Sequence, residues 1–217
     1  MIQAGRVSIN NSVAVIGQTV DETKDIVRVD SIKIQYKTKP IIVLMLNKPR
    51  GVECSHKTQY PEIKTVFDFI PKTFRKERFI YCGRLDKDSQ GMLILTNNGD
   101  FANQLSHPSA NVTKIYRVSI TRPISDESIK KMLTGITDEG ELLRAEKVIR
   151  LPEINEHPVL EIHLKQGRKR EIRRMIQACG SYVHRLKRIQ IGQLKLKNLH
   201  IGGIKELTPV EIEKLFV

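Results

Sequence analysis

The chain has 217 residues and a formal net charge of +13, from 37 Lys and Arg against 24 Asp and Glu. Such a charge favours a polyanion as partner, although a soluble basic protein without a nucleic-acid role is the plain alternative. Aromatic residues make up only 5% and Trp is absent, which argues against a single-strand binder built on stacking platforms.

The first 36 residues are predicted to form short strands separated by turns. Val7–Ile9, Val13–Val15 and Ile26–Val29 are each followed by a turn residue, but the segment holds too few apolar residues for a core of its own. Lys37–Pro40 is predicted to be a linker, because a proline biases the residue before it toward extended geometry. The predicted organisation is a small module and linker over residues 1–39 and a main domain over residues 40–217.

From Ile41 onward, strands alternate with helices, which predicts an α+β domain. The predicted strands are Ile41–Leu46, Phe79–Cys82, Met92–Thr96, Lys114–Thr121 and Val159–Lys165. The predicted helices are one capped by Asp100 and running through Leu105, one capped by Ser125 and running through Leu133, one from Ile172 to Cys179, and one that begins with the capping box Thr208–Glu211 and runs to Phe216.

The three cysteines and the hydropathy exclude several classes of protein. Cys54, Cys82 and Cys179 are far apart and have no Cys-x-x-Cys spacing, which predicts neither a disulfide framework nor a zinc site and favours a reducing cytoplasm. No apolar run approaches the length of a membrane span and no signal peptide is apparent, so no membrane partner is expected.

A loop between two predicted strands, Gly83–Gly91, carries the acids Asp86 and Asp88. Two acids on one short loop cannot easily flank a sugar from both sides, as a glycosidase requires, so a single acid acting as nucleophile or base fits better. The residues alone leave a second interpretation open, in which Arg84 pairs with one of these acids and only fixes the loop.

Two further stretches carry candidate binding groups. In "QGRKREIRRM" five cations fall within seven residues, and their mutual repulsion favours binding of an anion unless Glu171 reduces it. The alternative to an anion site is a basic helix face that is simply exposed to solvent. In "KIYRV", Tyr116 lies on the apolar side of a predicted strand, and taken alone it is more often a core tyrosine than a site residue. His107 and His184 are interpreted as structural or phosphate-contacting.

Taken together, five stretches resemble the pseudouridine synthases that act on ribosomal RNA, the RsuA/RluB/RluF-like family. They are "LNKPRGV" from residue 46, "GRLDKDSQGMLILTNNGD" from residue 83, "KIYRV" from residue 114, "QGRKREIRRM" from residue 166 and "HRLKRIQIG" from residue 184. The resemblance implies a pseudouridine synthase fold, in which a mixed, mostly antiparallel sheet is flanked by helices and carries a central active-site cleft. It also implies a reaction without metal or cofactor, which breaks the N-glycosidic bond of a uridine, turns the base and forms a C-glycosidic bond.

The resemblance further implies roles for single residues. Asp86 matches the catalytic aspartate, Tyr116 the tyrosine that stacks on the target uracil and serves in proton transfer, and Arg173 the basic residue that pairs with the catalytic carboxylate. Leu164 matches the apolar wall, and Arg84 the arginine that holds the place of the flipped nucleotide or pairs with the acid. The remaining cations predicted to bind the substrate are Lys48, Arg168, Arg170 and Arg174. Asp88 is predicted to be a structural residue that accepts from backbone N–H groups together with Ser89.

The partner implied is ribosomal RNA, with the large subunit favoured by "RLDKDSQG" and with small-subunit RNA or tRNA as alternatives. A non-catalytic RNA-binding or ribosome-assembly factor on the same scaffold is the competing function. Residues 2–36 resemble the second half of the small RNA-binding domain named after ribosomal protein S-four; its first half is absent, so the module is expected to be truncated or degenerate. A cytoplasmic monomer is the default expectation.

Overall fold

The structure is a computed structural model that describes residues 1–21, 23–35, 40–58 and 60–217. The chain divides into two compact units, Met1–Pro40 and Ile41–Val217. Residues 37–39 of the predicted linker lie outside the described residues.

The first unit is a small antiparallel sheet whose strands follow the order β2-β1-β3-β4. The strands are β1 (Val7–Ile9), β2 (Ser12–Val13), β3 (Val27–Val29) and β4 (Ile32–Lys33), preceded by a 3-10 turn at Ile2–Ala4. Among the described residues of this unit only Ile9 and Ala14 are buried, which agrees with the prediction that the segment has no core of its own. Its role as an RNA-binding module stays a prediction.

The second unit is built on a mixed sheet that has nine strands within the described residues. Its strands, together with a separate hairpin of β9 and β10, are β5 (Val43–Lys48), β6 (Ile80–Cys82), β7 (Gln90–Thr96), β8 (Lys114–Ile120), β9 (Ile136–Asp138), β10 (Glu141–Leu143), β11 (Lys147–Ile154), β12 (His157–Leu164), β13 (Val183–Ile191), β14 (Leu194–Lys195) and β15 (Ile204–Glu206). The helices are α1 (Gly99–Ser106), α2 (Asp126–Thr134), α3 (Glu171–Ala178) and α4 (Pro209–Glu213), with 3-10 turns at Val66–Phe69, Lys72–Phe74 and Pro108–Ala110.

The sheet follows the order β11-β12-β8-β13-β7-β5-β15, with β14 added to β13 and β6 to β7. Every pairing in it is antiparallel except that of β7 with β13. The predicted fold class, α+β with a mostly antiparallel mixed sheet flanked by helices, is confirmed.

Most of the helix caps predicted from the sequence are confirmed. Ser125 caps α2 by accepting from the Ser128 N–H at 3.1 Å, and Thr208 forms the predicted capping box of α4. The cap of α1 is Asn98, whose side chain accepts from the Phe101 N–H at 2.7 Å, whereas Asp100 lies in the first turn. The prediction of Asp100 as the cap was therefore wrong, because two capping residue types stand two positions apart.

The two halves of the sheet are covered differently. The half formed by β5 and β7 is buried on both faces. In the half formed by β8, β12 and β13, one face packs into the core through Tyr116, Leu160, Ile162 and Leu186. The opposite face, which we call the open face, is at least partly exposed and carries Arg117, Ser119, Glu161 and Lys187.

The one parallel pairing depends on a glycine. Gly91 has a φ of +108°, and a Cβ placed on it would lie 2.3 Å from the carbonyl oxygen of Arg188. Only glycine therefore allows the start of β7 to approach β13 this closely. This approach brings the loop before β7 next to the middle of β13. No helix in the described part of the chain is both long and apolar enough to cross a membrane.

Candidate active site

A cavity of about 410 Å³ opens between the loop of residues 83–89, strands β8, β12 and β13, and the start of α3. Seven of the nine predicted site residues line it: Arg84, Asp86, Tyr116, Leu164, Arg168, Arg170 and Arg173. The two that do not are Lys48 and Arg174. Residues separated by almost ninety positions in the sequence thus meet in one place.

Lys48, at the end of β5, lies beneath the loop and has no exposed surface. Its Nζ donates to the carbonyl oxygens of Pro49 at 3.0 Å, Asp86 at 3.2 Å and Ser89 at 2.8 Å. Burial lowers the pKa of Lys48 to about 8, because carbonyl dipoles only partly replace the lost hydration. Lys48 thus contacts the loop from below and does not line the cavity. These contacts do not favour the predicted binding of substrate by Lys48, which stays a prediction.

The loop backbone presents Asp86 to the cavity. Gly83 begins the loop with a φ of +72°, and the Ser89 N–H closes a turn by donating to the Asp86 carbonyl at 3.0 Å. The Gly51 N–H donates to the Lys87 carbonyl at 2.7 Å. With its backbone fixed in this way, the loop leaves the Asp86 side chain half-buried at the cavity wall.

The acids and arginines of the site pair differently from the prediction. Arg173 was expected to pair with Asp86, but its Nη2 lies 3.0 Å from Oδ2 of Asp88. The carboxylate of Asp86 is paired with Arg170 instead, at 3.8 Å between Nη1 and Oδ2, and the same Nη1 lies 3.5 Å from Oδ1 of Asp88. Asp88 is thus a structural residue of the loop, as predicted, but its partners are arginine side chains rather than the predicted backbone N–H groups.

Arg173 connects α3 to the loop. Its Nη2 also donates to the Asp88 carbonyl at 3.3 Å and to Oγ of Ser89 at 3.4 Å, and only 13% of the side chain is exposed. Burial lowers the pKa of Arg173, and the charge of Asp88 opposes that shift. Through these contacts Arg173 sets the position of the segment that carries Asp86.

The start of α3 contains a buried acid that the prediction did not place in the site. Glu171 lines the cavity and is only 3% exposed. Its Oε2 accepts a hydrogen bond from the Arg168 N–H at 3.1 Å, whereas its Oε1 is buried without a hydrogen-bond partner among the described residues. Burial raises the pKa of Glu171. A signal for this burial was present in the sequence, since Glu171 stands four residues before the core residue Met175 and therefore beside the apolar stripe.

Arg174 points away from the cavity, toward the hairpin of β9 and β10. It pairs with Asp138, and its Nη1 lies 2.5 Å from Oε2 of Glu141. Its Nη2 donates to the Asp138 carbonyl at 2.6 Å, and these partners raise its pKa. Adjacent residues on a helix point about 100° apart, so Arg174 faces the hairpin whereas Arg173 faces the loop. These contacts do not favour the predicted binding of substrate by Arg174, which stays a prediction.

The opposite wall of the cavity is apolar. Alternation along β8 places Tyr116 at this wall with 7% of its surface exposed, beside Leu164 of β12 and Leu186 of β13. Cys54 also lines the cavity, and burial raises the pKa of its thiol, which keeps it protonated at neutral pH. Leu186 and Cys54 were not predicted as site residues. The arrangement can hold a flat ring against Tyr116 and Leu164 with a carboxylate beside it.

Comparisons with known proteins agree with this geometry. Residues 42–178 match the family described as RNA pseudouridylate synthase. "Ribosomal large subunit pseudouridine synthase B" of Vibrio cholerae is 34% identical over 99% of this chain and 68% of its own length. "Dual-specificity RNA pseudouridine synthase RluF" of Shigella flexneri is 35% identical over 99% of this chain and 71% of its own length. A solved pseudouridylate synthase structure superimposes with a TM-score of 0.72 at 27% identity, over 99% of this chain and 90% of that one.

Proposed function

The chain belongs to the RNA pseudouridylate synthase family, and from that premise we propose that it isomerises a uridine of large-subunit ribosomal RNA to pseudouridine. The observation that carries the proposal is the single cavity in which the carboxylate of Asp86 faces an apolar wall formed by Tyr116 and Leu164. Because ribosomal RNA is the proposed substrate, the proposed place of action is the cytoplasm.

In this proposal Asp86 is the reacting group. The bond from the sugar C1′ to N1 of uracil breaks, the base turns, and a bond from C1′ to C5 forms, while C5 loses a proton and N1 gains one. Asp86 acts either as a nucleophile on the sugar or as a base that removes a proton from it, and both require the ionised carboxylate. Nη1 of Arg170 lies 3.8 Å from Oδ2 of that carboxylate, which stays partly exposed and therefore accessible to the substrate.

The target base has to leave its stack to reach the cavity, at a cost of a few kcal/mol. We assign the compensating contacts to the ring of Tyr116, the side chain of Leu164 and the cations at the mouth of the cavity. Arg84 is exposed and forms no hydrogen bond or ion pair within the described residues, which leaves its guanidinium available to fill the space of the flipped nucleotide or to bind phosphate.

The choice of RNA rests on the relatives. One of them is named for the large ribosomal subunit and another for dual specificity, so a second RNA substrate is part of the proposal. A non-catalytic RNA-binding factor would not need Asp86, Tyr116 and the arginines of α3 around one cavity, so the enzyme is the better-supported function.

Replacing Asp86 by Asn tests the proposal. Because the amide can neither attack the sugar nor accept a proton as a carboxylate does, we expect isomerisation of a large-subunit rRNA transcript to fall by about 10³-fold or more. The measurement is pseudouridine formation, with RNA binding followed in parallel and expected to change little.

Asp88→Asn is the matched control, since it removes a carboxylate of the same loop that pairs with Arg173. We expect a loss of roughly 10- to 100-fold, through loop position only. An Asp86→Asn enzyme that kept wild-type turnover would contradict the assignment. Mapping pseudouridines in cells that lack the gene would identify the target nucleotide.

A further inference from the structure

The open face of the sheet carries a set of cations that the proposed reaction does not use. They come from neighbouring strands and from the turn after β14: Arg117, Arg185, Lys187, Lys195 and Lys197. In the described part of the chain, none of the five donates a side-chain hydrogen bond or forms an ion pair. Glu161 lies directly across from Arg117 on β12, but its Oε1 is taken by Nε2 of His163 at 2.9 Å.

These cations line two adjoining hollows, which we together call the groove. One hollow contains Arg117 and Lys187 together with Lys195 and Lys197, and a second contains Arg117 and Lys187 together with Arg185. The two hollows share Arg117 and Lys187, so they lie side by side along β13. Together they extend from Arg185 to Gln190, which pairs with Lys195 of β14. Five residues of strand at about 3.3 Å each give roughly 16 Å, which spans several phosphates of one nucleic-acid strand.

The groove and the candidate active site lie on opposite faces of the same part of the sheet, because successive side chains along a strand alternate between its faces. Ser89 lines the site cavity, and the next residue, Gln90, lines the groove. At the Gln90 end of the groove His157 and His184 stack with ring centroids 4.1 Å apart, so the groove also offers flat rings beside its cations. An RNA that occupies the active site would therefore have to pass around the sheet to reach the groove, so the groove is placed to bind a different segment of the RNA from the one that enters the cavity.

We propose that the open face binds the phosphate backbone of a segment of the RNA substrate that lies outside the active site. The proposal rests on the proposed function for the identity of the RNA, but the binding itself does not require turnover. Unpaired cations in a row favour a repeating anion, because each phosphate neutralised by a lysine or arginine releases counterions. An acidic protein surface is the other partner that such a charge could attract, and the experiment distinguishes it.

The test replaces Arg117, Lys187 and Lys195 together by Gln. The matched control replaces Arg75, Lys72 and Lys130 by Gln, which removes the same charges from exposed positions outside the groove. Binding of a large-subunit rRNA transcript is measured over a salt series. We expect the slope of log Kd against log salt to become shallower by about two to three for the groove variant, and to change by less than about one for the control.

Isomerisation provides the second readout. We expect the groove variant to raise KM for the transcript, with the loss in kcat/KM appearing in KM rather than in kcat. Equal slopes for the wild type and the groove variant would overturn the proposal and favour a protein partner for this face. Equal weakening by both triple variants would also overturn it, because net charge alone would then explain binding. If the wild type binds the transcript but isomerises no uridine, the proposed function fails while the binding comparison still decides the role of the groove.

Discussion

Two basic regions of the second unit differ in how their charges are used. At the start of α3, Arg168 pairs with Glu141, Arg170 with Asp86 and Asp88, Arg173 with Asp88, and Arg174 with Asp138. On the open face, the five cations that line the groove have no ion pair within the described residues. The density of cations in the sequence is highest in the region that is already neutralised.

This difference shows that the number of cations in a stretch does not measure its availability to RNA. A guanidinium held by a carboxylate positions that carboxylate, whereas an unpaired cation is free to release counterions when it meets a phosphate. We therefore expect the paired α3 arginines to act mainly through the geometry of the site, and the open face to act, as proposed, through binding. Substitutions in the two regions should differ in both the size and the sign of their effects.

Among substitutions of the cations of this unit, the largest effect is expected for Arg173→Gln. The change leaves Asp88 half-buried beside a neutral amide and removes the contacts of α3 to the Asp88 carbonyl and to Ser89. We expect kcat for isomerisation to fall by about 10²- to 10³-fold, because the segment carrying Asp86 loses its position. Single-turnover kinetics at saturating RNA measure this.

Arg174→Gln is the control on the adjacent residue. It should lower the thermal midpoint, since the β9–β10 hairpin loses its attachment to α3, while kcat stays within a few-fold of the wild type. If the two variants lost activity equally, the distinction between a site arginine and a structural arginine on this helix would be wrong.

The next largest effect is expected for Lys48→Met. This variant tests a cation that is neither paired with an acid nor left unpaired. Lys48 is paired with carbonyl oxygens rather than with an acid or a phosphate. A methionine of similar length leaves those buried carbonyls without a donor, at a cost of about 1–3 kcal/mol for each unsatisfied group. We therefore expect unfolding in denaturant to show a loss of about 3 kcal/mol. Unchanged stability would contradict the role of Lys48 beneath the loop.

A smaller effect follows from the pKa of Lys48, which lies at about 8 in the folded chain against an ordinary value of 10.5. The ammonium is charged below about pH 8 and becomes a neutral amine above it, so its hold on the loop carbonyls weakens as pH rises. We expect kcat to fall severalfold through that range. Stability should change in the opposite direction, because between the two pKa values the unfolded chain binds the proton that the folded chain has released.

Lys114 also has a pKa of about 8, and a Lys114→Met variant separates the two groups. The decline of kcat should persist in this variant if Lys48 is responsible. If kcat of the Lys114→Met variant no longer fell as pH rises, the pH dependence would have to be assigned to Lys114.

Local signals in the sequence predicted much of the fold and the membership of the site. The apolar stripe of α3, the Ser125 cap and the capping box at Thr208 each depend on residues within one or two turns, and all three are confirmed. Six strands of this unit were missed, namely β9, β10, β11, β13, β14 and β15. Of these, β13 and β15 pair with strands far along the chain, β8 and β5, whereas β11 and β14 pair with the strands next to them.

The ion pairs between acids and arginines in and around the site could not be predicted from such local signals. Arg170 adopts a left-handed φ of 51°, which sets where the first turn of α3 points its arginines. Asp88 therefore receives Arg173, while Asp138 and Glu141 receive Arg174. These acids lie more than thirty residues from their partners in the sequence, so the spacing within "QGRKREIRRM" identified the cations but not the charges that neutralise them.

The smallest effect, and one of opposite sign, is expected for Lys187→Gln on the open face. Lys187 lies directly across from Arg117 in the pairing of β13 with β8, and like charges in opposite positions destabilise a sheet. Removing one of them should raise the free energy of unfolding by about 0.2–1 kcal/mol at low salt, and the gain should shrink at high salt as the repulsion is screened. Denaturant unfolding at two salt concentrations measures it, with Lys72→Gln as a control that has no cation across a strand. A loss of stability would mean that Lys187 contributes to the fold, and the contrast between paired arginines on α3 and unpaired cations on the open face would no longer hold.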